Sequence, residues 1–178
     1  QRTERFPYWA ELWPAAIGLS RWFFKQVAQL HATSAVELGC GLGLVAVTLS
    51  RLGLRIRATD FVEDALMFTS YNGIANGAGA NLNVAYLDWS SPVGRGTDLL
   101  VASDVAYDRK NHPYLNRVLR ALLNEGGQLI LSDPGRPAAR PFFDQLEDNG
   151  YAHKQESVAV TWKSTEHKVD IHQFQKPA

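Results

Sequence analysis

Along most of this chain, short runs of apolar and β-branched residues alternate with longer stretches whose apolar positions recur about every 3.6 residues. Ile17, Leu19, Trp22, Phe23, Val27 and Leu30 keep that spacing and predict an amphipathic helix over residues 15–30. Ahead of it, residues 1–14 carry Phe6, Tyr8, Trp9 and Trp13 together with two prolines. Such a segment is expected to run irregularly over the domain, with its rings covering part of it.

Strands are predicted over residues 35–38, 55–59, 81–87, 98–103 and 128–132, and helices over 44–52, 63–76, 113–123 and 141–148, the helix at 63–76 being stopped by Gly77. Strands alternating with helices of this length form βαβ units with right-handed crossovers on a mostly parallel sheet. The tail departs from that alternation. Residues 152–161 and 167–174 both have strand character, with a turn at Lys163, Ser164, Thr165 and Glu166. Strands joined so tightly run antiparallel. The expected fold is therefore α/β and Rossmann-like: a seven-stranded, mostly parallel sheet with a C-terminal antiparallel hairpin and helices on both faces. No repeat, linker or low-complexity tract divides the chain, and 178 residues with 46% apolar content can bury about 70% of their unfolded surface as a single domain.

Composition narrows the partners. Lys plus Arg and Asp plus Glu stand at 18 each, so no global field draws the protein to nucleic acid or to an anionic membrane. The single cysteine, Cys40, excludes an internal disulfide framework and a multi-thiolate metal site. No apolar run approaches the roughly 20 residues of a membrane span. These features predict a monomer in a reducing compartment, the cytoplasm or, in a eukaryote, the mitochondrial matrix. His31, His112, His153, His167 and His172 lack metal-ligand spacing and are expected at surface or edge-strand positions, with no metal bound.

The candidate chemistry begins at Glu37-Leu38-Gly39-Cys40-Gly41-Leu42-Gly43, between a predicted strand and a predicted helix. Glycines there let backbone approach a ligand at a helix N-terminus. A dinucleotide fingerprint would place its third glycine at position 44, which is Leu44, and this disfavours NAD. A tight packing turn explains the glycines alone, and a helix cap explains Asp60 alone. Their order and spacing together, with Asp60 closing the second strand 21 residues after Gly39, favour a cofactor site.

The stretch from Glu37 to Gly43 resembles motif I of the class I S-adenosylmethionine (SAM)-dependent methyltransferases. Pro7-Tyr8-Trp9-Ala10-Glu11-Leu12-Trp13-Pro14, Asp104-Val105-Ala106-Tyr107 and Ser132-Asp133-Pro134-Gly135-Arg136-Pro137 narrow the likeness. They are similar to segments of the seven-β-strand lysine methyltransferases related to the enzyme for the electron transfer flavoprotein β subunit. The resemblance implies that Glu37, Gly39, Gly41, Gly43 and Trp13 line a SAM pocket, with Asp60 on the ribose hydroxyls, Phe61 on the adenine, Asp88 and Trp89 at the adenine amino group, and Ser103 beside them. It also implies that Asp104 and Tyr107 stand at the acceptor nitrogen. Asn-Pro-Pro-Tyr, expected after the fourth strand of many adenine and glutamine methyltransferases, is absent.

On that reading the acceptor is a lysine of a protein substrate, and presenting its amine neutral at pH 7 costs roughly 4–5 kcal/mol. Asp104 would orient the nitrogen and compensate charge, and Tyr107 would supply an aromatic wall and a steering hydroxyl. Alternatively Asp104 caps the following helix and Tyr107 simply packs. Cys40 is expected to pack. Arg136 either belongs to a rigid turn or touches an acidic substrate surface. Three other functions stay open: transfer to a small amine or heteroaromatic nitrogen, SAM binding without turnover, and NAD-dependent oxidoreduction.

Overall fold

The computed structural model describes residues 7–178; Phe6 and the rest of the first six residues lie outside the described part. A 3-10 turn at Tyr8–Ala10 leads into α1 (Pro14–Gln26), whose last predicted turn is instead a short 3-10 segment, Val27–Gln29. Then follow β1 (Ser34–Leu38), α2 (Leu44–Arg51), β2 (Arg55–Asp60), α3 (Glu63–Ala75), β3 (Leu82–Tyr86), β4 (Thr97–Ser103), α4 (His112–Leu122), β5 (Leu123–Asp133), α5 (Arg140–Asp148), β6 (Ala152–Trp162) and β7 (Thr165–Gln175).

The seven strands form one sheet in the order β3-β2-β1-β4-β5-β7-β6. All pairings from β3 to β5 are parallel, and β7 runs antiparallel to both β5 and β6. The central strands are buried on both faces, so their apolar residues divide between two cores. Leu100, Ala102, Leu129 and Leu131 pack under α4 and α5 against Leu119, Leu122 and Phe142. Leu99, Val101 and Ile130 point the other way, onto α1 and α2 at Leu19, Phe23, Val45 and Leu49.

Two local predictions shift for identifiable reasons. β5 begins at Leu123, five residues before the expected start, because Leu123 pairs with Thr97 and the register then slips so that Gln128 meets Leu99. The intervening residues bulge through Gly126, at φ 67°, and Asn124 Nδ2 donates to Asp98 Oδ1 at 2.8 Å. At the tail the hairpin turn narrows from four residues to Lys163 and Ser164, with φ of 48° and 62°, and Trp162 pairs directly with Thr165. Two consecutive left-handed residues match the right-handed twist of the hairpin strands. Neither residue type announces that geometry.

The strand order reverses between β1 and β4: β2 and β3 lie on one side and β5 on the other. Open α/β sheets bind ligands outside the carboxyl ends of such a pair. The loops after Leu38 and after Ser103 meet there.

Candidate active site

The loop from Gly39 to Gly43 turns β1 into α2 through three left-handed glycines, at φ 68°, 53° and 81°. At two of them a side chain is excluded by what lies opposite. A Cβ on Gly41 would stand 3.0 Å from the carbonyl oxygen of Trp9, and one on Gly43 would stand 2.8 Å from the Thr69 side chain. The loop is therefore roofed by the N-terminal turn and floored by α3. Thr69 Oγ1 donates to Gly41 O at 2.9 Å and Asn72 Nδ2 donates to Leu42 O at 2.8 Å. The sequence reading missed both residues; the signal available was a polar pair at i, i+3 on one face of the helix.

Asp60, at the end of β2, ties the next strand to this loop. Its Oδ2 accepts from the Gly41 N–H at 3.1 Å and its Oδ1 from the Val62 N–H at 3.0 Å. Burial raises its carboxyl above the ordinary range, and these backbone donors work against that rise. Each oxygen keeps a further lone pair for a ligand hydroxyl. Phe61 beside it is 66% exposed and lies open to solvent.

Glu37 is the most unusual group. It is 1% exposed, and its Oε2 has no hydrogen-bond partner. Burial pushes its carboxyl up to about 8, a backbone hydrogen bond from Ala46 lowers it, and the nearby Asp60 raises it. A buried acceptor without a donor is costly unless a ligand satisfies it. Placed under a glycine loop at a helix N-terminus, this oxygen fits an ammonium group.

The third strand ends at Tyr86, one residue before its predicted end, and Asp88 and Trp89 stand in the loop beyond it. Asp88 Oδ1 accepts from the Ser90 N–H at 2.7 Å, which holds its carboxyl below the usual range. Trp89 packs into the α4–α5 core, and its ring would lie 3.5 Å from a Cβ on Gly39. It thus forms the wall of the loop on the β4 side.

Beyond Ser103, the last residue of β4, the chain enters a left-handed conformation at Asp104, φ 52°. Its N–H donates to Ser132 O at 2.8 Å. Its carboxylate, 5% exposed, takes both donors of the Arg136 fork: Nε to Oδ1 at 2.5 Å and Nη2 to Oδ2 at 2.6 Å. Asp104 is therefore no helix cap. Asp108 instead caps the 3-10 turn Arg109–Asn111 that precedes α4, its Oδ1 accepting from the Lys110 N–H at 2.9 Å. The Arg136 side chain, 38% exposed, lies along the Trp13 ring, its guanidinium carbon 5.9 Å from the ring centre. The turn before it is rigid as expected, because Asp133 Oδ1 accepts from the N–H groups of Gly135 and Arg136 at 2.7 and 2.6 Å.

Aromatic rings complete the edge. Tyr8 lies 6.0 Å from Tyr107 and 6.2 Å from Trp13 between ring centres, and Trp13 Nε1 donates to Tyr8 O at 2.9 Å. Trp9 leans on Phe68 of α3 at 5.6 Å. The N-terminal rings therefore cover the junction of the glycine loop with the Asp104 loop. Tyr8 and Tyr107 remain 54% and 43% exposed, so the mouth between them faces solvent.

Cys40 is buried, with Thr69 Oγ1 3.4 Å from its sulfur, and burial together with Glu37 pushes its thiol far up, away from reactivity. Two histidines expected near the surface are buried. His112 bonds Ala106 O at 3.1 Å, and His172 stands 3.0 Å from His153 among Phe143 and Phe174. Among the described residues no group of three or more His, Cys, Asp or Glu side chains is placed to hold a metal ion, and no helix is long and apolar enough to cross a membrane.

Similar architecture recurs in solved methyltransferases. The N-methyltransferase NodS from Bradyrhizobium japonicum, in complex with S-adenosyl-l-homocysteine, superposes with a TM-score of 0.69 at 14% identity over 92% of this chain and 84% of that one. Magnesium protoporphyrin IX methyltransferase from Synechocystis with bound SAM gives 0.68 at 16% identity over 90% and 78%. At such identities the likeness speaks for the fold. In sequence, the chain is 30% identical to the mouse (Mus musculus) electron transfer flavoprotein β subunit lysine methyltransferase over 74% of its own length and 52% of that protein. Ribosomal protein L11 methyltransferase from Vibrio cholerae is also 30% identical, over 74% and 45%. The mouse EEF1A lysine methyltransferase 3 is 28% identical over 89% and 72%. The chain spans about half the length of the first two of these relatives. Residues 8–149 match the family described as lysine methyltransferase, and the chain belongs to that family.

Proposed function

We propose that this protein transfers a methyl group from SAM to the side-chain nitrogen of a lysine in a protein substrate. The observation that carries the reading is the pairing, at one sheet switch point, of a buried Glu37 oxygen without a donor and a solvent-facing aromatic mouth around Asp104. Family membership and relatives named for protein lysine methylation support the substrate class.

The residues present fit the cofactor. Glu37 Oε2 would take its amino group, the glycine loop would lie against its amino acid end, and Asp60 would accept from the ribose hydroxyls. Phe61, Asp88, Trp89, Ser103 and Trp13 would border the rest. SAM supplies, when bound, a methyl group activated by a sulfonium.

This chain's own contribution is to align a lone pair with that methyl and to exclude water. Asp104 offers the lone pairs its guanidinium partner leaves free, enough to accept an N–H from the acceptor amine. Tyr107, Tyr8 and Trp13 form walls that tolerate a cationic group. A mouth with both tyrosines exposed suits a side chain presented by a large partner better than a small amine that must be enclosed. In the same reading the described residues belong to one domain acting as a monomer, in the cytoplasm or a mitochondrial matrix, with no nucleic acid or membrane engaged.

Incubating the purified protein with methyl-labelled SAM and a proteome extract from its source, followed by gel separation and mass spectrometry, tests this. The expected result is a labelled protein band carrying methyl-lysine. Label confined to the small-molecule fraction would assign the acceptor to the metabolite class instead.

A further inference from the structure

Asp104 is not available as a bare carboxylate: both of its oxygens accept from Arg136, and the pair lies with Asp104 buried and the Arg136 side chain 38% exposed at the mouth. A bare buried carboxylate beside a lysine would favour the ammonium form and hold the proton that methyl transfer requires the amine to lose. A carboxylate already matched by a guanidinium lacks that net pull, yet each of its oxygens retains a lone pair. We infer that Arg136 is a positioning residue for methyl transfer, fixing Asp104 at its left-handed turn and cancelling its charge so that the acceptor amine is oriented without being held protonated. The inference rests on the lysine reading above.

The surroundings agree with this assignment. Arg136 is itself held from three sides: its N–H by Asp133 Oδ1, its fork by Asp104, and its face by the Trp13 ring. The ionisable groups around it are Asp104, Asp133 and Tyr107, and Tyr107 in turn feels Asp108, Tyr8 and Asp104. The guanidinium is charged at any relevant pH, and its hydrogen bond to Asp104 raises its pKa further. Lysine at position 136 would supply the charge but not the planar fork.

The test is the pH dependence of kcat and KM for wild type, Arg136→Ala and Arg136→Lys on the same lysine acceptor. With alanine the alkaline rise of kcat should move up by about one pH unit, lowering kcat near neutrality about tenfold, because each unit changes the neutral fraction tenfold. KM should stay level or fall, since the freed carboxylate attracts the ammonium. With lysine the profile should return toward wild type while kcat recovers only in part. A wild-type profile in Arg136→Ala, or an equal loss at every pH without a shift, overturns the inference.

A second readout does not depend on turnover or on the acceptor. In the wild-type protein the Arg136 Nε–H should give a resolved, slowly exchanging NMR signal, lost in Asp104→Asn. Rapid exchange in the wild type overturns the pairing. If wild type carries no methyl-lysine activity, the lysine reading fails while this signal still decides the pairing.

Discussion

Of the four buried carboxylates among the described residues at this sheet edge, Glu37, Asp60, Asp104 and Asp133, the first and third stand on neighbouring strands in opposite circumstances. Glu37, on β1, keeps an oxygen with no donor and is pushed up to about 8 by burial. Asp104, just beyond β4, has both oxygens engaged by Arg136. Glu37 lacks the cationic partner that Asp104 already has. An unmatched buried carboxylate gains most from a cationic ligand, whereas a matched one serves to orient a group without binding its charge. The first suits the cofactor's amino group and the second suits the acceptor.

The comparison is broken most completely at Gly41. Replacing it with Leu forces a side chain into φ 53° and against the Trp9 carbonyl, and backbone strain of about 1–3 kcal/mol adds to the clash. SAM binding measured by calorimetry should fall below detection. Glu37→Gln comes next. Losing a charge-assisted hydrogen bond of about 1.5–3 kcal/mol should weaken SAM binding about 10- to 100-fold.

The same variant sharpens the pH argument. In the free protein Glu37 binds its proton more tightly than in the unfolded chain, where a carboxyl titrates near 4.5. Its contribution to stability is thus present below the unfolded value and is lost as pH rises toward about 8. A cationic ligand reverses the preference, so SAM affinity should rise with pH across that interval, with proton release visible as a buffer-dependent binding enthalpy. Glu37→Gln should flatten both trends. The smallest effect is expected at α3: Thr69→Val removes the bond to Gly41 O and should cost about 1 kcal/mol in denaturant unfolding, with a several-fold loss of SAM affinity.

The glycine loop was the more legible half because its geometric demands are local. Three glycines, a strand before them and a helix after them stand within one short segment, and Asp60 closes the next strand. What stabilises the loop was not legible. Thr69 and Asn72 reach it from another helix, and the roof is a backbone carbonyl of Trp9. Motif resemblance singled out Asp104 and Tyr107 as candidates but could not show that Asp104 is paired with Arg136, 32 positions later, since that contact exists only once β4 and β5 lie side by side. The α/β alternation and the closing hairpin followed from apolar periodicity. The Lys163–Ser164 turn and the early start of β5 did not, because a left-handed pair without glycine or asparagine and a register slip leave no compositional mark.

The most direct test of this division of labour is a single-turnover experiment with Asp104→Asn preloaded with methyl-labelled SAM and then given a lysine acceptor protein. The account predicts that cofactor occupancy matches wild type within about twofold while transfer slows by about 100-fold, the scale of a misaligned acceptor. Loss of bound label would put Asp104 in the cofactor pocket instead, and transfer at the wild-type rate would remove it from the acceptor site.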